Sequence, residues 1–212
     1  MWNSLSGSIP PSIGNLLSLE LLLLNGNSFT GHLPDEIGNL VNLDRLQVDQ
    51  NKFSGPIPST LTKLVNAKHL HMNDNAFDGS IPSGLGRIPA IHILLDNNNL
   101  TGKLPPDIGN ISQLQILQLD NNPFDAQEIP STYTTSLVQL IKLSMKNCNL
   151  RGSMPDLSAL TKLQSLDLSK NQMDGVFPNM SLPSLITIDL SNNQFTGDIP
   201  VEAAGIETLE LM

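Results

Sequence analysis

The chain has 212 residues, of which 39% are hydrophobic and only 4% aromatic; it carries one cysteine and a formal net charge of −9. That acidity argues against nucleic acid or an anionic membrane surface as a partner. A lone cysteine excludes an intrachain disulfide, and so few aromatics require an aliphatic core.

The opening Met1-Trp2-Asn3-Ser4-Leu5 has neither the basic n-region nor the apolar h-region of a secretion signal. The apolar run Leu21 to Leu24 falls far short of the roughly 20 residues that span a bilayer. As written, the sequence is expected to hold no secretion signal and to make no direct membrane insertion.

From Asn3 onward an asparagine returns at fixed phase: Asn27, Asn51, Asn75, Asn98, Asn122, Asn171 and Asn193, with Cys148 filling one slot. The spacing is 22 to 26 residues. Each slot closes the phrase L-x-x-L-x-L-x-x-N-x-L, as in Leu19, Leu22, Leu24, Asn27 and Phe29. That phrase resembles the leucine-rich-repeat signature. It implies an α/β solenoid, a right-handed horseshoe with a parallel β-sheet on its concave face and short helical or 3-10 turns on its convex face. The single domain 1–212 would comprise a partial coil 1–18, repeats starting at 19, 43, 67, 90, 114, 140, 163 and 185, and a partial coil 209–212.

Within each repeat the segment x-x-L-x-L predicts a short strand whose leucines point inward and whose variable residues point outward. The inward columns are Leu22, Leu46, Leu70, Ile93, Leu117, Leu143, Leu166, Ile188 and Leu24, Val48, Met72, Leu95, Leu119, Met145, Leu168, Leu190. The asparagine amide, with two donors and an acceptor, is suited to satisfy the backbone where the chain leaves the strand. A thiol is small enough to take that slot, so Cys148 reads as a buried member of the same ladder. Two residues on, the spacer column Phe29, Phe53, Phe77, Leu100, Phe124, Leu150, Met173, Phe195 holds five of the six phenylalanines, which marks them as core. G-x-[IL]-P then follows in most coils, as in Gly31 to Pro34, Gly55 to Pro58 and Gly197 to Pro200. Gly permits an unusual backbone conformation and Pro blocks a hydrogen-bonded strand, so the coil should turn there into helical turns such as Pro58 to Leu64. The fifth repeat departs, with Ala126 in place of Gly and one residue added, and predicts a local bulge best read as a tolerated insertion.

The phrase N-x-[LF]-[ST]-G-x-[IL]-P-x-x-[IL]-G resembles the plant-specific class of these repeats. Leu94 to Gly102, Ile116 to Asn122, Asn147 to Leu150 and Pro155 to Ser158 are similar to one group of plant receptor-like kinases. In that group the repeats form an extracellular domain, followed by one membrane helix and a cytoplasmic Ser/Thr kinase. The resemblance implies a piece of the repeat region, placed at the plasma membrane or outside the cell. As written, the sequence is expected to hold none of that group's signal peptide, paired-cysteine caps, membrane helix or kinase motifs. Kinase activity is therefore not expected of this chain. No G-x-S-x-G, H-E-x-x-H or phosphate loop appears either, and no cofactor is implied.

The outward strand positions present the candidate ligand-binding residues Arg45, Gln47, Asp49, His69, His71, Asn73, His92, Leu94, Asp96, Gln118 and Asp120. A rigid sheet with varied side chains suits a peptide or protein ligand, with a co-receptor as a further candidate partner. His69 and His71 lie on one side of a strand, and His92 should sit beside His69, about 4.8 Å away. Solvated polar residues are the first reading, a pH-sensitive patch the second and a metal site the third. Strand-borne histidines seldom converge on a metal without a supporting shell, so none is assigned. Sequons at Asn99, Asn110 and Asn179 are candidate N-glycosylation sites if the chain is secreted.

The leading expectation is a recognition module for signal perception. The alternatives are a soluble extracellular inhibitor or decoy, or a truncated non-signalling fragment. Leu5 and Ile9 at one end, and Leu209 and Leu211 at the other, are expected to be exposed and to fray the isolated chain.

Overall fold

The computed structural model describes residues 3–198 and the backbone of Thr208–Glu210. Its spine is a nine-stranded, all-parallel sheet running from Leu21–Leu23 through Arg45–Gln47, His69–His71, His92–Leu94, Ile116–Gln118, Lys142–Ser144, Ser165–Asp167 and Thr187–Asp189 to Thr208–Glu210. Register follows the repeat: Arg45 pairs with His69, Leu46 with Leu70 and Gln47 with His71. Each strand therefore stacks on the same three positions of its neighbours, and the alternation of side chains puts one column inward in every coil. Leu46, Leu70, Ile93, Leu117, Leu143, Leu166 and Ile188 are all buried, as are Val48, Met72, Leu95, Leu119, Met145, Leu168 and Leu190.

The residue before each ladder position is left-handed: Gly26, Gln50, Asp74, Asn97, Asn121, Asn147, Lys170 and Asn192 all have φ between 53° and 66°. That conformation turns the following side chain into the coil, where its amide meets backbone that no strand pairs. Asn75 Nδ2 donates to the carbonyls of Val48, Met72 and Asn73, while its Oδ1 accepts the Phe53 N–H at 3.0 Å. Asn51, Asn98 and Asn122 repeat the pattern, so each asparagine bonds its own coil and the one before. Cys148 keeps only the donor half, its thiol reaching the Leu119 carbonyl at 3.2 Å. The spacer rings of Phe29, Phe53 and Phe77 stack below the ladder at 6.0 and 6.1 Å.

Beyond the spacer the expected helical turn Pro58 to Leu64 is present as the 3-10 helix Ser59–Lys63, but rim sheets that the sequence reading did not anticipate precede such turns. The chain does not turn away at the glycine but stays extended, building a five-stranded rim sheet from Ser6–Gly7, Ser28–Gly31, Lys52–Pro56, Ala76–Ser80 and Asn99–Thr101. A three-stranded rim sheet of Arg151–Ser153, Gln172–Val176 and Gln194–Thr196 follows. Gly55 reaches φ 75° inside its strand, so glycine bends the rim strand without ending it. The proline three residues later ends it: Pro34 and Pro58 immediately precede the 3-10 helices Asp35–Asn39 and Ser59–Lys63. Coils approach so closely along this side that a Cβ on Gly38 would lie 2.5 Å from the Thr60 carbonyl oxygen.

The two rim sheets are separated at the fifth repeat, where the expected bulge takes the form of a lost strand. Pro123 has no N–H to give to a neighbouring rim strand. In place of a paired strand, an isolated bridge joins Gln127 to Leu150, and single hydrogen bonds such as Asp125 N–H to the Gly102 carbonyl hold the stretch. A short α-helix, Ser131–Thr135, follows where other coils have a 3-10 turn.

Two expectations about the ends are corrected. Ile9 is buried at 6% exposure because it joins the contiguous core, whereas Leu5 is 53% exposed. Leu209 stands opposite Ile188 in the backbone register, so it does not occupy a repeat start like Leu185. Leu211 lies outside the described residues, as do Ile199 and Pro200 of the last G-x-[IL]-P phrase.

Candidate functional site

The outer face of the long sheet carries every candidate ligand-binding residue in three columns. Register places Arg45, His69, His92 and Ile116 in one column and Gln47, His71, Leu94 and Gln118 in the next. Asn73, Asp49, Asp96 and Asp120 stand two residues past their strands, in the third column. The strand period of two puts these side chains on the same face, away from the aliphatic core.

The two halves of this face differ in how their polar groups are satisfied. In the C-terminal half they satisfy one another. Ser144 Oγ donates to both oxygens of Asp120 at 2.7 and 2.8 Å, and the Lys146 N–H adds a third bond at 2.8 Å. Asp167 accepts from the N–H and hydroxyl of Ser169 and lies 4.0 Å from Lys146 Nζ. In the N-terminal half, Asn25 Oδ1, Arg45 Nε, Asp49 Oδ1 and His71 Nε2 are buried atoms with no partner in the protein. A buried polar atom without a partner costs about 1–3 kcal/mol, so such a cluster calls for an explanation.

The histidines come closer than sequence reasoning anticipated. His69 Nδ1 lies 3.1 Å from His92 Nδ1, and the two rings meet edge to face at 4.7 Å between centroids. His71 stacks on His92 at 5.9 Å and shares a 3.1 Å hydrogen bond between its Nδ1 and Gln47 Nε2. Burial pushes His71 down to about 4, with the neighbouring imidazoles and the Arg45 guanidinium adding to the shift. Burial, then Arg45, also lowers His69 and His92. Asp44 pulls His69 the other way, but its carboxylate is already held by Lys68 at 2.7 Å. The patch therefore stays neutral at neutral pH, and its charging moves to more acidic conditions than an ordinary histidine pair would show.

Three carboxylates of the third column shift upward. Burial raises Asp96 to about 6, helped by Asp120 and Asp74, and burial likewise raises Asp49 and Asp120. Cys148 is fully buried, and burial drives its thiol well above the ordinary range, so it is a ladder member without reactive character. Asn99, Asn110 and Asn179 are all exposed on the surface. A depression of about 410 Å³ opens beside the broken rim, lined by Pro123, Phe124, Asn149 and Gln172 among others. Sequence reasoning missed it, and its signal was Pro123 followed by the irregular spacing. Among the described residues no helix is long and apolar enough to cross a membrane.

The parallel stack, the asparagine ladder and the L-x-x-L-x-L-x-x-N period agree with the comparison to known proteins, in which the Leucine Rich Repeat profile matches residues 18–40, 91–111, 162–181 and 184–205. The chain is a leucine-rich-repeat solenoid. Its repeats are homologous to those of plant leucine-rich-repeat receptor-like kinases. One probable receptor-like serine/threonine-protein kinase of Arabidopsis thaliana is 52% identical over 56 residues, which are 26% of this chain and 6% of that relative. Among solved structures, the GASSHO1/SCHENGEN3 receptor kinase ectodomain of Arabidopsis thaliana, in complex with CASPARIAN STRIP INTEGRITY FACTOR 2, superposes with a TM-score of 0.92. It is 36% identical, over 99% of this chain and 26% of that one. The Arabidopsis receptor kinase HAESA, in complex with the peptide hormone IDA and the co-receptor SERK1, gives a TM-score of 0.81 at 31% identity, over 98% of this chain and 39% of that one. This leucine-rich-repeat chain thus spans about a quarter to two-fifths of those ectodomains.

Proposed function

We propose that this leucine-rich-repeat chain is a recognition module that reads a peptide or protein ligand along the outer face of its long sheet. The observation that carries this reading is the cluster of buried, unpartnered polar atoms at Asn25, Arg45, Asp49 and His71. An extended ligand crossing the first three coils would offer donors and acceptors to Asn25, Arg45 and Asp49 once their side chains turn outward, whereas the C-terminal half of the face is already self-satisfied. The peptide hormone bound by HAESA, and the factor bound by the GASSHO1 ectodomain, support a ligand of the same kind here. A co-receptor alongside, and a location on the extracellular side of the plasma membrane, rest on the same kinship. The chain acts by binding; phosphoryl transfer belongs to a kinase domain outside these repeats.

The test is a binding screen of the purified chain against secreted plant peptides, followed by variants. Arg45→Ala and Asp49→Ala should each weaken the selected peptide by about tenfold or more, since truncated hot-spot contacts cost roughly 1–2 kcal/mol or beyond. Lys52→Ala and Gln172→Ala, exposed on the rim sheets, should leave affinity unchanged. A peptide that ignores both outer-face variants yet is lost on a rim variant would sink the reading.

A further inference from the structure

Three of the chain's four histidines occupy two adjacent strands, and their rings converge. His69 and His92 are register partners, and His71 lies two residues along from His69 on the same face. One ring nitrogen from each of the three lies within 4.8 Å of the other two. We propose that His69, His71 and His92 form a binding site for a divalent transition metal of the zinc class, with imidazole nitrogens as its three protein ligands.

The geometry is close to what such an ion needs. Metal–nitrogen bonds of about 2.0–2.1 Å in a tetrahedral site set ligand nitrogens about 3.4 Å apart. The His69 and His92 Nδ1 atoms, at 3.1 Å, already meet that spacing. Without a metal, two facing nitrogens must share a proton between them; with one, both lone pairs point at the cation. The third ligand has to close in from within 4.8 Å, and His71 Nε2, buried with no protein partner, has no hydrogen bond to give up in doing so.

A supporting group is also present. Gln47 bonds His71 Nδ1 at 3.1 Å. Turning the Gln47 amide over presents its oxygen to that nitrogen, which then carries the proton and leaves Nε2 free as a ligand. This is the arrangement that metal-binding histidines generally require of their second nitrogen. All three rings favour the neutral form at neutral pH, so a metal would displace few protons on binding. Imidazole suits zinc, copper and nickel and discriminates against calcium and magnesium, which prefer oxygen ligands. With three protein nitrogens the fourth position stays open to water or to a carboxylate of a bound partner. The Arg45 guanidinium, across the register from His69, opposes the added charge and sets the affinity below that of a carboxylate-backed site.

The site is read without reference to any peptide, so its test stands apart from the recognition proposal. Untagged, chelator-treated protein is titrated with zinc chloride by calorimetry at pH 7.5, and with cobalt(II) as a visible-absorption probe. The expected result is one zinc per chain, with binding weakened at least about tenfold in His69→Gln and in His92→Gln, and abolished in the triple His→Gln variant. His32→Gln, which alters the exposed histidine outside the cluster, should bind as the parent does. Absence of zinc binding by the parent protein, or undiminished binding by the triple variant, would overturn the proposal. Retained circular dichroism in the variants separates loss of ligands from loss of fold.

Discussion

Phe124 turns its backbone N–H onto the carbonyl of Asn122, at 2.9 Å, because Cys148 in the next coil has no amide oxygen to receive it. In the neighbouring coils the same N–H, on Phe77, Leu100 and Leu150, reaches the Oδ1 of a ladder asparagine at 3.0 Å. The place where the ladder loses its acceptor is also the place where the rim sheet breaks. Pro123 removes a donor from the same stretch, so two local changes in sequence combine to open the depression beside it.

The ladder should be costly to interrupt where it is regular and cheap to complete where it is not. Asn75→Ala strands the buried Phe53 N–H and leaves the Val48, Met72 and Asn73 carbonyls with one donor fewer each, and is expected to destabilise the chain by about 2 kcal/mol. Cys148→Asn restores the common residue and should change stability by less than about 1 kcal/mol. Urea unfolding midpoints compare the two. Equal losses would show that the amide contributes no more than a thiol does.

Cys148 should be chemically silent while the chain is folded. Its thiol is buried, bonded to the Leu119 carbonyl and held protonated by burial and by the nearby Asp120 carboxylate. An aromatic disulfide reagent at pH 8 is expected to label no thiol in native protein and one per chain in denaturant. Rapid labelling of the native chain would contradict the buried ladder position.

Asp96 gives a pH dependence of definite sign. Its folded value of about 6 lies above its ordinary value of 3.8, so the stability it contributes is fully present below 3.8 and is lost as pH rises through about 6. Asp96→Asn removes that loss and should raise the unfolding midpoint at pH 7.5, with the advantage shrinking as pH falls towards 4. His71 works in the opposite sense: its value is depressed to about 4, so stability is lost as pH falls from 6.5 through 4. The difference between parent and Asp96→Asn cancels the histidine contribution. An advantage that does not vary between pH 7.5 and 4 would refute the assignment.

Exposure makes all three sequons accessible, so expression through a plant secretory pathway should add glycans at Asn99, Asn110 and Asn179. Each Asn→Gln change is expected to remove one glycan's mass from the intact protein. Asn99 lies in the rim strand Asn99–Thr101, away from the outer face of the long sheet, so its glycan should leave ligand binding unaffected.

Which residues face inward, which form the ladder and which share the outer columns was legible in the sequence. These depend on two short periods, the strand's alternation and the repeat of 22 to 26 residues, and both are written in residue types. The left-handed residue before each ladder position was legible in part, since Gly26, Asp74, Asn97 and Asn121 favour that conformation but Gln50 and Lys170 do not announce it. The rim sheets were not legible, because the glycine that suggested a turn serves equally well as a bend within a paired strand. Nor was the convergence of His69, His71 and His92, or the lack of partners for Arg45 and Asp49. Those depend on side-chain rotamers and on the offset between coils to a fraction of an ångström. Packing between coils sets that offset through contacts such as Gly38 against Thr60, and a repeat pattern does not encode it.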